Sequence, residues 1–312
     1  MAAPVDCNSP AYWREDQFHL INSTGFSFLT TSTDQFQLNW GLIEQVTLDH
    51  RDHFPMWIEA VWQDGDGTLY AWYHHEPGGV CPNSSLTAPQ IGALVSYDGG
   101  ESFADLGIIL SSGDPVDCSA QNGFFAGGHG DFSVILDRDQ RYFYFLFDNY
   151  AGALPGQGVA IARMAFEDRN SPAGAVWKYY GGDWTAPGLG GPLTPIFPAV
   201  VAWQHANADA LWGASVHWNT YLQTYVVLLN RACCAPKWPQ EGIYISFNSD
   251  LSNPAAWKKP ERILASRDIG FAPGYYPQVL GLAPGETDTL AGQVARLYVK
   301  GVSKWQIVFF PE

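Results

Sequence analysis

The chain has 312 residues, with 16 basic against 31 acidic side chains and a formal net charge of −15. That charge repels phosphate backbones and anionic lipid surfaces over the Debye length, and no run of about 20 apolar residues offers a bilayer span, so neither nucleic acid nor membrane is expected as a partner and a neutral ligand is favoured over a polyanion. A hydrophobic fraction of 46% with 13 Trp, 15 Tyr and 18 Phe supplies a large core, and with no Pro/Ser linker or charge run to divide it the chain reads as one domain, 1–312, whose residues 1–17 form an N-terminal extension.

The opening, MAAPVDCNSP, lacks the basic and apolar regions of a signal peptide. The segment FHLINSTGFSFLTTSTDQFQLNWGLIEQVTL, from Phe18, supplies several strands. From Met56 the chain reads MWIEAVWQDGDGTLYAWYHHEP, and the same wording returns as GDFSVILDRDQRYFYFLFDNY from Gly130 and GASVHWNTYLQTYVVLLNRACC from Gly213. Each copy sets a tight turn (Asp64 to Gly67, Asp137 to Gln140, Asn219 to Gln223) between runs rich in Val, Ile, Tyr, Phe and Trp, the signature of a β-hairpin. A second pair of strands follows each copy, from Ile91, from Gly158 and from Gly242, so two hairpins per unit make a four-stranded antiparallel sheet. A weaker fourth copy, YYPQVLGLA with VARLYVKG and KWQIVFF, runs to the C-terminus. Three full units, one degraded unit and the N-terminal strands add up to about five sheets, and radial closure into a β-propeller leaves few edges exposed.

Five cysteines form an odd set. Cys81 with Cys118 is expected to bridge the first full unit if the protein is exported, while Cys7 stays free or pins the N-terminal segment. Adjacent Cys233 and Cys234 are either two reduced thiols or a vicinal disulfide that makes a rigid plate at the end of a strand. Asn22 and Asn83 open glycosylation sequons.

In a propeller the innermost strand of each blade lines the central channel, and one face collects matching positions from every unit. The polar groups expected at that mouth are Asp52 and His53 before the first inner strand, His129 and Asp131 at the start of the second, His74 and His75 after the first hairpin, Asp148, Asn149 and Tyr150 after the second, and Arg231 after the third. Three polar side chains also interrupt inner strands: Glu59 in MWIEAVW, Asp131 in GDFSVIL and His217 in ASVHW. A carboxylate inside such an apolar strand is costly to bury unless paired or functional, and desolvation moves its pKa toward that of a general acid. Glu59 and Asp131 lead the catalytic candidates, followed by Asp52 and His217. The glycines around Asp131 are expected to admit a ligand close to the backbone, and Tyr150 and Tyr275 are the aromatics expected at the mouth. No metal-binding, dinucleotide or serine-nucleophile motif stands in a convincing context.

The phrase GIYISFNSDLSNPAAW resembles the strand, turn and strand of the five-bladed propeller glycosidases, the arabinanase, xylosidase, levansucrase and invertase superfamily, through Gly242, Ile243, Ser249, Asp250, Leu251 and Trp257. SYDGGESF, Ser96 to Phe103, is similar to the Asp-box turn that sialidases also carry, in which the aspartate and glycines shape the hairpin. The resemblance implies an all-β, five-bladed propeller of four-stranded antiparallel blades with a sugar site at one end of the channel. It implies Asp131 and Glu59 as the working carboxylates with Asp52 as a third, and His217 where the third unit lacks a glutamate. The protein is therefore expected to be a glycoside hydrolase of a neutral oligo- or polysaccharide, secreted or periplasmic, monomeric and without a required cofactor, though a structural cation in the central channel is allowed. The competing readings are a non-catalytic propeller that binds a glycan or a protein through the same mouth, and a polysaccharide lyase with a histidine or tyrosine base.

Overall fold

The computed structural model describes residues 1, 3–49, 53–270 and 274–311. Five sheets appear in chain order. Blade 1 orders Ala11–Arg14, Gln17–Ser23, Ser27–Ser32 and Leu42–Gln45. Blade 2 runs outward from Met56–Gln63 through Leu69–His75 and Gln90–Ser96 to Ser102–Leu110, and blade 3 from His129–Leu136 through Tyr142–Asn149 and Gly158–Ala165 to Val176–Tyr180 and Asp183–Pro187. Blade 4 contains Asp209–Asn219, Thr224–Cys233, Gln240–Asn248 and Glu261–Ala265; blade 5 contains Pro277–Gly281, Val294–Val299 and Val302–Val308. Among the described residues there is no α-helix.

The turns follow from their residues. Gly67 and Gln140 take up left-handed backbone, and their N–H groups close onto the Asp64 and Asp137 carbonyls at 3.0 Å. In the Asp-box turn, Asp98 accepts from the Ser96 and Ser102 hydroxyls and from the Ser102 N–H, so this carboxylate shapes a hairpin.

Each pair of neighbouring blades buries its own apolar layer. Tyr12, Ile21 and Leu29 meet Met56, Ile58 and Leu94 between blades 1 and 2. Trp72 and Ile91 meet Phe132 and Phe145 between blades 2 and 3, and Leu146 and Ile161 meet Val216 and Val227 between blades 3 and 4. Val226 and Ile243 meet Val279 and Leu297 between blades 4 and 5. Leu280 and Tyr298 of blade 5 then pack on Ala11, Phe18 and Leu20 of blade 1, which closes the ring. Because both faces of a blade are covered, strands within it bury successive residues; every residue of Leu69–His75, the second strand of blade 2, is buried. A simple in-out alternation is lost for that reason.

The all-β, five-bladed propeller is the expected one, and its mostly antiparallel blades vary in size: the sheets have 4, 5, 6, 5 and 3 strands, and Thr47–Leu48 and Leu290–Ala291 add short parallel pairs to blades 2 and 4. Residues 1–17, by contrast, are not an extension. Ala11–Arg14 is a strand of blade 1, and the residues before it continue inward along Gln17–Ser23, with Asp6 N–H donating to Ser23 O and Ile21 N–H to Pro10 O at 2.9 Å each.

The N-terminal segment thereby reaches the axis and touches every blade. Cys7 Sγ lies 3.7 Å from Ile58 O of blade 2. The Asn8 amide donates to Phe132 O of blade 3 at 2.8 Å and Ala214 O of blade 4 at 2.7 Å. Ser9 exchanges hydrogen bonds with the Gln278 side chain of blade 5 at 2.7 and 2.8 Å, and its hydroxyl accepts from Asn22 of blade 1 at 2.9 Å.

Candidate active site at the hub

Three inner strands carry a register shift at comparable depth: between Ile58 and Ala60, between Gly130 and Phe132, and between Trp212 and Ser215. A bulge inserts an unpaired residue and re-aims its side chain. In blades 2 and 3 the inserted residues are Glu59 and Asp131. In blade 4 they are Gly213 and Ala214, which bring no acid.

Glu59 and Asp131 are only 2% and 3% exposed, and they meet around His74. Glu59 Oε1 lies 3.1 Å from His74 Nδ1, and Glu59 Oε2 accepts from Phe132 N–H at 2.9 Å. The Asp131 N–H points to the same Nδ1 at 3.2 Å, and His74 Nε2 is 3.5 Å from Glu76 Oε1. The Tyr150 hydroxyl donates to Asp131 Oδ2. Asp131 holds a left-handed φ of 39°, an uncommon conformation for a residue with a Cβ. Gly130 makes room for the ring: a Cβ there would sit 2.7 Å from His74 Cε1. The glycines flanking Asp131 thus serve close packing within the protein, since a Cβ on Gly128 would likewise strike the Pro89 backbone.

Burial pushes the Glu59 carboxyl up against the opposing pull of His74. Burial also disfavours a charged His74, but the bond to Glu59, with Asp131 and Glu76 nearby, outweighs it and holds the imidazole above its usual range. The pair therefore keeps a proton at neutral pH. Asp148 lies behind it, fully buried, with Oδ2 accepting from Gly213 N–H at 2.7 Å. Burial, then the charge of Asp131, raises its pKa well above the carboxylate range.

A further acid lies here that the sequence does not single out. Asp6, solvent-exposed on the N-terminal segment, lies within electrostatic reach of Lys300, Asp131 and His74, and the partial desolvation of its carboxyl by the surrounding protein raises its pKa. Its neighbours in sequence gave no sign, because the fold itself carries Asp6 to the axis; the one local cue is an acid in a short polar stretch leading into the first strand.

The remaining candidates divide. Tyr275 is half-buried, its hydroxyl donating to Trp238 O at 2.9 Å. His53 and His75 lie further out on blade 2: His53 Nδ1 is 2.6 Å from Asp105 Oδ2, and His75 Nδ1 is 3.2 Å from Pro55 O. Asn149 caps a turn through Ala151 O and Gly156 O. His129 is buried, its pKa well below the usual range through burial, and it lines a separate cavity of about 330 Å³ with Asp114, Asn149 and Gly152. Arg231 forms a two-pronged ion pair with Asp209 at 2.8 and 2.9 Å and so stands outside the acid cluster. His217 does too. It lies four residues beyond Gly213 along its strand, about 13 Å deeper, and packs on Phe309; burial lowers its pKa to about 3. Asp52 lies outside the described residues.

One atom from each of Glu59, His74 and Asp131 lies within 4.8 Å of the others, a spacing that also suits a small cation. In the channel itself the fit is poorer, because the inner-strand carbonyls of Phe132 and Ala214 already accept from the Asn8 amide.

No protein-family model matches the chain, and no curated protein does. Solved structures do. A thermostable family-43 glycoside hydrolase aligns over 100% of this chain and 97% of its own, with a TM-score of 0.55 and 12% identity. The catalytic domain of a Coprinopsis cinerea GH62 α-L-arabinofuranosidase aligns over 95% and 84%, with a TM-score of 0.58 and 10% identity. The fold is the five-bladed propeller of these proteins. An exo-β-1,3-galactanase from Phanerochaete chrysosporium, solved with β-1,3-galactotriose, aligns over 89% of this chain at a TM-score of 0.51 and 12% identity, and the chain spans 55% of that protein's length. At such identities the likeness is one of fold, and a fold hosts many functions.

Proposed function

We propose that the protein is a glycoside hydrolase that cleaves a neutral oligo- or polysaccharide at the hub. The observation that carries this reading is the meeting of Glu59 and Asp131, from separate blades, around one buried histidine. Glycosidic cleavage needs one group that gives a proton to the leaving oxygen and one carboxylate that attacks the anomeric carbon or activates water. Glu59, which shares a proton with His74, is the donor. Asp131, fixed by the Tyr150 hydroxyl, is the carboxylate, and Asp6 at the rim is the third acid. The propeller glycosidases of like fold support the same substrate class. The disulfides Cys81–Cys118 and Cys233–Cys234 support a location in an oxidising, extracytosolic compartment.

A second reading has its own observation. Both carboxyls are nearly inaccessible and hydrogen-bonded, as in a propeller that binds a glycan without cleaving it. Incubation with arabinan, xylan and β-1,3-galactan, scored for reducing ends and separately for binding, tells them apart: release of sugar supports the hydrolase, and saturable binding without release supports the binder.

A further inference from the structure

Tyr150 connects Asp131 to an aromatic cage. Its ring stacks on Phe125 at 4.4 Å and meets the edge of Trp203 at 5.2 Å. One further ring fills the space between them: Trp238 lies 5.8 Å from Tyr150, 4.5 Å from Trp203 and 5.6 Å from Trp212.

Two independent features set this cluster apart from ordinary core. The first is polar. The indole N–H groups of Trp203, Trp212 and Trp238 are all buried without an acceptor, three of the five indoles so placed among the described residues. Buried Trp normally finds a partner for its N–H, so three unsatisfied donors in one aromatic cluster are unusual, and the two on Trp203 and Trp212, beneath Trp238, call for a ligand rich in oxygen acceptors. The second is backbone strain. Trp238 belongs to the loop 234–239, where Cys234, Lys237 and Trp238 hold left-handed φ values of 78°, 67° and 50° without being glycine. Such conformations gather at ligand clamps and switch segments. The loop is closed at its base by Cys233 N–H donating to Pro239 O at 3.2 Å, and the disulfide joins the adjacent Cys233 and Cys234 where the loop begins.

We propose that Tyr150, Trp203 and Trp212 form a sugar-ring subsite next to Asp131, and that Trp238 fills it until a saccharide displaces the indole. An uncharged sugar fits: its C–H face packs on the rings, and its hydroxyl and ring oxygens accept from the indole N–H groups of Trp203 and Trp212. Asp6 at the rim disfavours an anionic one. The choice of ligand rests on the saccharide reading above; the seat and its cover do not.

Oxidation of individual tryptophans by N-bromosuccinimide, mapped by mass spectrometry, tests this on wild type and Trp238→Ala, with and without saturating arabinotriose, xylotriose or β-1,3-galactotriose. Removing the cover raises the oxidation of Trp203 and Trp212 by roughly tenfold or more, and one of the trisaccharides restores protection, while Trp72 of the blade 2–3 core stays unreacted as the control for folding. Unchanged oxidation of Trp203 and Trp212 overturns the proposal. So does a rise that no trisaccharide reverses while wild type still hydrolyses polysaccharide, because the sugar then sits elsewhere. Protection without any hydrolysis leaves the subsite standing and removes the catalytic reading. If Trp72 reacts in the alanine variant, Trp238→Leu, which removes the ring from the cage and keeps an apolar side chain, carries the same comparison.

Discussion

The backbone N–H of Phe132 in blade 3 donates to the Glu59 carboxylate of blade 2 at 2.9 Å. One side chain therefore braces the seam between two blades and offers its other oxygen to His74. Glu59→Gln keeps the shape but removes the charge. Turnover is expected to fall by about 10² to 10⁴, the range of a lost general acid, with a stability loss of about 1–3 kcal/mol from the weakened buried bonds. Denaturant unfolding and initial rates check the two effects separately, and a loss of stability with unchanged turnover would make Glu59 a brace alone.

Asp6 is predicted to separate these effects in the opposite sense. Its side chain is exposed at the rim, so Asp6→Asn should change stability by no more than about 0.5 kcal/mol while lowering turnover on the substrate identified by the polysaccharide panel. Full activity in Asp6→Asn would remove it from the site.

Asn8 serves architecture. Its amide satisfies carbonyls of two blades at the axis, and Asn8→Ala leaves both buried oxygens without that donor. A loss of at least about 2 kcal/mol follows, read as a lower denaturant midpoint with an unchanged slope.

The His74 proton gives a pH dependence of definite sign. The folded protein holds this proton more tightly than the unfolded chain does. Its contribution to stability is complete below the unfolded value of about 6.5 and is lost as pH rises through the higher folded value. The melting temperature of wild type should therefore decline on the alkaline side of pH 6.5 more steeply than that of His74→Gln. Parallel curves for the two proteins would contradict the assignment.

The Cys81–Cys118 bridge closes a loop with a sequence separation of 37. Its removal by paired serine substitution should cost about 2–4 kcal/mol, measured by thermal unfolding of the double variant against wild type.

The fold was legible where local chemistry is strong. The turns at Asp64 and Asp137 and the β-branched and aromatic runs around them declare hairpins, and the repetition of those hairpins declares a ring. Glu59 was legible as a charge in an apolar strand. His217 shows the same pattern yet lies deep in the blade 4 strand, because the bulge that turns Glu59 to the hub falls at Gly213 and Ala214 in blade 4, and nothing in the local sequence marks a bulge. Asp6 was hidden for a different reason: its place at the axis depends on pairing with Ser23 and on contacts from Asn8 to blades 3 and 4, all made across long stretches of chain. Arg231 read as a ligand contact only because its partner Asp209 lies 22 residues away in sequence.

The central claim is that Glu59 and Asp131 act together on one sugar bond. Turnover of the same polysaccharide by Glu59→Gln, Asp131→Asn and the double variant tests it most directly, since groups that act as a unit lose activity non-additively. Each single variant should lose about 10² or more, with the double variant scarcely worse than the weaker single. Wild-type turnover in either single variant, or losses that multiply in the double, would contradict it.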